Sequence, residues 1–76
     1  MPLEPNEQKY LNDFGAKVRE LRTSKGLSMQ QLANVAGIEL SQVYRIEKGK
    51  INPKLTTIIL LTEALDTVIE KLITTT

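Results

Sequence analysis

Eight of the ten basic side chains fall between Phe14 and Lys54, opposed there only by Glu20, Glu39 and Glu47. A chain of formal net charge +1 therefore carries +5 in its middle and −2 in each flanking segment, residues 1–13 and 55–76. Guanidinium and ammonium groups gathered on one face hold a polyanion; spread around helices they would only be solvated surface. Catalytic chemistry has less to draw on. The chain has neither cysteine nor histidine, which removes thiolate nucleophiles, the usual zinc ligands and the usual general base. Its carboxylates form no paired arrangement, and there is no glycine-rich phosphate loop. An enzyme is not expected, nor a metal, a cofactor or a small-molecule ligand.

The elements that must position those charges read as short helices. Seventy-six residues make one domain at most, near the lower size limit for an unaided core. Tyr10, Phe14, Val18 and Leu21 form one stripe of a first helix ending near Lys25-Gly26. Its start is open between Asn6 and Asn12/Asp13, Gly15 favouring the later one. Ser28 caps a second helix that stops at Gly37, and a third spans roughly residues 40–48 before Gly49. Asn52-Pro53 opens a fourth reaching about Leu65, and a last helix carries Val68, Leu72 and Ile69. Residues 1–12 are assigned to a tail or helix extension, 13–73 to the folded domain and 74–76 to a frayed end. No apolar run approaches a membrane span, and the first residues lack the basic and apolar regions of a signal peptide. A cytoplasmic protein is expected, with no membrane partner.

The centre is the most specific part. Leu32, Ala33, Ala36, Gly37, Ile38, Val43 and Ile46 are spaced as in a helix-turn-helix, two helices crossing steeply. Ala33 must be small because the third helix crosses over it. Gly37 ends the second helix in the left-handed conformation without a Cβ penalty. With Val43 facing inward and about 100° per residue, Ile46 and Glu47 share its side. Ser41, Tyr44, Arg45 and Lys48 lie opposite. That outer face is short and polar and suits a major groove. An acid on the inner face needs a partner or loses its charge, and Arg22, at the edge of the Val18/Leu21 stripe, is the candidate for Glu47. Beyond the third helix, Lys48, Lys50, Asn52 and Lys54 are candidates for phosphate, as is Ser28 at the N-terminus of the second.

With Val18-Arg19-Glu20-Leu21-Arg22, Lys25-Gly26-Leu27-Ser28, Leu32-Ala33, Arg45-Ile46-Glu47-Lys48-Gly49-Lys50 and Asn52-Pro53, residues 14–66 resemble the Cro/CI-like (XRE) helix-turn-helix family. The resemblance implies an all-α, compact five-helix, lambda-repressor-like domain that binds double-stranded DNA through helices 2 and 3, usually as a dimer on a near-palindromic operator. It implies the same Arg22–Glu47 ion pair. It also places Leu40, Ser41, Tyr44 and Arg45 at the base-reading positions. There Arg45 suits guanine O6 and N7, and Leu40 suits a thymine methyl. Gln42 points sideways, toward phosphate. Three positions depart from the pattern. Met29 stands where many members carry a phosphate-binding glutamine, with Gln30 one place later. Glu39 replaces a serine or threonine cap, so that Ser41 is an alternative cap. Asp66-Thr67 replaces the usual Gly-Val.

One short helix reads too few base pairs for useful specificity, so a homodimer is expected. Taking Leu55 as inward on the fourth helix, Ile58, Ile59, Thr62 and Leu65 share its side while Leu60 lies on the far side. Leu60, Ile69 and Ile73 are the candidate two-fold interface. The competing reading is a protein-interaction module, an antitoxin-like partner binder using the Leu60 surface. Loss of Arg45 and Lys50 would abolish function in the first case and spare it in the second.

Overall fold

The computed structural model describes residues 4–73, which form five helices: α1 Pro5–Ser24, α2 Met29–Ala36, α3 Leu40–Glu47, α4 Leu55–Ala64 and α5 Ile69–Ile73. The fold is the lambda-repressor-like five-helix arrangement. Helix α1 packs on α3 and α5, and α2 on α3 and α4.

Helix α1 starts earlier than Gly15 suggested. Pro5 occupies its first turn, where a missing N–H costs nothing, and the Glu7 carboxylate accepts from the Glu4 N–H at 3.2 Å. The helix passes Asn12, Asp13 and Gly15 without a break, so its first two turns extend the same element. Those turns outrun the core. Tyr10, placed on the buried stripe by its spacing, is 57% exposed, whereas Phe14 and Val18 are buried.

The α2–α3 corner is built by local chemistry. Ser28 Oγ accepts from the Gln31 N–H at 3.1 Å, and Gln31 Oε1 accepts from the Ser28 N–H at 2.8 Å, a reciprocal cap. At the other end Gly37 adopts φ 74°, and its N–H donates to the Ala33 carbonyl at 2.8 Å. Helix α3 then begins at Leu40. Glu39 is its N-cap by backbone conformation but supplies no side-chain bond, so Ser41 is not the cap and the face of α3 is not shifted. Asp66 takes φ 51° after α4, the left-handed role expected of it in place of glycine.

The core joins Phe14 and Val18 of α1, Leu32, Ala33 and Ala36 of α2, and Val43 and Ile46 of α3 to Leu61, Leu65 and Leu72. Each fully buried leucine or isoleucine contributes roughly 1.5–3 kcal/mol. Helix α4 is turned differently from its expected phase. Thr57 and Leu61 face inward, while Leu55 is 64% exposed and Ile59 is also exposed. The run Ile58-Ile59-Leu60-Leu61 is apolar all the way round, so no period marks which side is inner. Val68 likewise is exposed, and Leu72 alone anchors α5 in the core.

Candidate nucleic-acid interface

Helix α3 is two-faced. Val43 and Ile46 are buried on one side, and Leu40, Ser41, Tyr44, Arg45 and Lys48 are exposed on the other, with Gln42 half-buried between them. Eight residues give a rod of about 12 Å, short enough to lie in a major groove.

Its orientation is held from beneath by a buried ion pair. Arg22 Nε lies 2.6 Å from Glu47 Oε2 and Nη2 lies 3.0 Å from Oε1, a bidentate contact between α1 and the last residue of α3. Nη1 donates to the Leu27 carbonyl at 2.8 Å, tying in the turn before α2. Both residues are only 8% exposed. The hydrogen bond to Glu47 raises the Arg22 pKa above its already high ordinary value, although burial acts against it. The pair thus uses side chains that point away from the exposed face.

Gly15 sets how closely the two helices approach. A Cβ there would sit against the carbonyl oxygen of Ile46 and 2.7 Å from that of Glu47. Beyond α3, Gln8 Nε2 donates to the Gly49 carbonyl at 2.8 Å, and Asn12 packs against Gly49 where a side chain would collide with it. Helix α1 therefore clasps the end of α3 at three places. This role of Gly15, Gln8 and Asn12 was missed in the sequence. The available signal was Gly15 at three and seven residues before Val18 and Arg22, on one helical face.

The cations cluster beside this face. Lys48 Nζ lies 5.8 Å and Lys50 Nζ 5.9 Å from the centre of the Tyr44 ring, within cation–π range. One aromatic side chain thus gathers two lysines at the C-terminal end of the exposed face. Lys50, Asn52 and Lys54 are exposed in the segment leading to α4. Asn52 also borders a cleft with Tyr10 and Leu11 of α1. Ser28 is exposed, but its hydroxyl already accepts the Gln31 N–H. Gln30 Nε2 donates to Asn34 Oδ1 at 2.9 Å. Leu60, Ile69 and Ile73 are exposed, Leu60 least at 39%. Among the described residues no group of three or more acidic side chains could hold a metal ion, and no helix is long and apolar enough to cross a membrane.

A capped α2, a left-handed corner and an α3 with a buried inner and polar outer face define a helix-turn-helix DNA-binding domain. The helix-turn-helix family HTH_3 matches residues 18–72, and the chain belongs to that family, the Cro/CI-like (XRE) DNA-binding transcriptional regulators, which are not enzymes. It is 37% identical over 57 residues to the control protein C.SmaI of Serratia marcescens, a match covering 75% of this chain and 68% of that protein. It is 44% identical to the restriction-modification controller protein C.AhdI from Aeromonas hydrophila, with a TM-score of 0.80 over 82% of this chain and 94% of that one. The hypothetical transcription factor NHTF from Neisseria gives a TM-score of 0.84 at 28% identity, over 97% and 86% of the two chains. An uncharacterized HTH-type transcriptional regulator of Haemophilus influenzae is 40% identical over 47 residues, and the chain matches about half of that protein's length (48%).

Proposed function

We propose that this regulator binds, inside the cell, as a homodimer to a near-palindromic operator, laying α3 of each subunit in the major groove. The observation that carries the proposal is the exposed outer face of α3, with Arg45 at its centre, above a buried inner face and the Arg22–Glu47 pair. Leu40, Ser41, Tyr44 and Arg45 are assigned to base edges. Ser28, Gln30, Gln42, Lys48, Lys50, Asn52 and Lys54 are assigned to phosphates, and Leu60, Ile69 and Ile73 to the two-fold interface. That interface would set the two copies of α3 about 34 Å apart, one turn of the duplex. Kinship with C.AhdI favours genes of a restriction-modification system as the target.

Selection of bound duplexes from a random pool, at stated salt, tests the proposal. A two-fold consensus with half-sites one helical turn apart is the expected result. No enrichment, together with no retention of any duplex at low ionic strength, overturns it.

A further inference from the structure

Residues 50–54 run outside any helix, between the end of α3 and the start of α4, and their exposure alternates. Ile51 and Pro53 are half-buried, Ile51 against the core, while Lys50, Asn52 and Lys54 are exposed. Side chains that alternate in this way leave by opposite sides of the chain, so the three polar ones share its outer edge. The root of the segment is fixed at three points. The Gly49 N–H donates to the Ile46 carbonyl at 3.1 Å and the Lys50 N–H to the Arg45 carbonyl at 2.8 Å, both closing α3. The third point comes from α1: Gln8 Nε2 donates to the Gly49 carbonyl at 2.8 Å, across 41 residues of sequence. The same nitrogen donates to Asn12 Oδ1 at 2.9 Å. Both hydrogens of the Gln8 amide are thereby used, and the Asn12 acceptor keeps the amide turned toward Gly49. Asn12 also fills the space beside Gly49, its Cα 3.2 Å from where a Cβ at 49 would stand. Both residues sit on the first turns of α1, outside the core.

We propose that Gln8 and Asn12 are positioning residues for DNA binding: they anchor the Gly49 carbonyl so that Lys50, Asn52 and Lys54 meet the duplex already ordered. The proposal rests on the DNA-binding reading above and gives the first turns of α1 a task in it without any contact to DNA. A segment ordered only when it binds lowers apparent affinity by the fraction of time it is competent. The bond from Gln8 raises that fraction. Because it acts on the protein backbone, its effect does not depend on the sequence of the duplex.

The test compares wild type with Q8M, which keeps an unbranched side chain of good helix propensity but donates nothing. In amide hydrogen exchange without DNA, protection of the Lys50 N–H should fall in Q8M while that of the Gly37 N–H, in the α2–α3 corner, is unchanged. Dissociation constants on the selected operator and on an unrelated duplex should both rise about 2–10-fold, the weight of one net hydrogen bond. N12A, which keeps the bond and loses only the acceptor that orients it, should show a smaller rise. Made in a K50A/K54A background, Q8M should cost less than about twofold, because residues that act through one another are not additive. Equal loss in both backgrounds assigns Gln8 to general stability and overturns the proposal. So does unchanged exchange at Lys50, or unchanged binding, in Q8M. Wild-type protein that binds no duplex at all overturns the DNA-binding reading instead.

Discussion

Gly15 of α1 and Glu47 of α3 meet backbone to backbone, so closely that an alanine methyl at 15 would stand 2.7 Å from the Glu47 carbonyl oxygen. On α1 alone, Gly15→Ala would be stabilising by about 1 kcal/mol through helix propensity. Overpacking against backbone that cannot swing aside costs roughly 1–3 kcal/mol, and it wins. The melting temperature should fall by several degrees, since about 1 kcal/mol shifts it ~4–8 °C in a domain this small. A melting curve at or above that of wild type would show that α3 is not held at this distance.

Glu47→Ala leaves the Arg22 guanidinium buried with only the Leu27 carbonyl. Breaking a buried pair costs roughly 3–5 kcal/mol, a large share of the stability of a 76-residue chain. Its melting temperature should drop by at least several degrees. R22M/E47L, which removes both charges, should recover most of the loss. The Arg22 pKa is raised on folding, so its contribution is fully present below the unfolded-state value and lost only as pH rises through the folded one. From the Arg22 side, the effect should therefore be the same across the neutral range. Equal melting of wild type and E47A would remove the pair from any role in placing α3.

Tyr44 and Arg45 are neighbours with different expected signatures. Arg45→Ala should cost about 1–3 kcal/mol at one base-pair position and little elsewhere, if Arg45 reads guanine bidentately. Tyr44→Leu removes the ring over which Lys48 and Lys50 gather. It should weaken all duplexes and also lose discrimination at the base pair that the tyrosine reads, while Tyr44→Phe, which keeps the ring, should retain the general affinity and lose only that discrimination. Binding of a panel of single-substitution operators separates the two. Uniform loss in R45A would move Arg45 to the backbone, and undiminished discrimination in Y44F would take the tyrosine hydroxyl off the base edges.

Leu60→Glu places a charge on an exposed α4 position while leaving Leu61 in the core. Light scattering at tens of micromolar should give a dimer for wild type and a monomer for this variant, with unchanged helix content. Monomeric wild type would dissolve the proposed interface.

The corner was legible in the sequence because its causes are local. Ser28 and Gln31 cap one another within three residues, and Gly37 needs only its own missing Cβ. The exposed face of α3 was legible for a related reason: Val43 and Ile46 are isolated apolar positions in a polar helix, so they set its phase unambiguously. Even the Arg22–Glu47 pair followed from one requirement, that an acid turned toward the core find a cation. Other contacts left no such mark. In α4, four consecutive apolar residues cover every direction, and only packing against α2 and α5 determined that Leu61 went inside and Leu55 out. The reach of α1 past the core, with Tyr10 exposed and Gln8 and Asn12 closing on Gly49, was likewise decided in three dimensions. Such contacts join residues some 40 positions apart, and a periodic pattern records which side of a helix is apolar, not which neighbour will cover it.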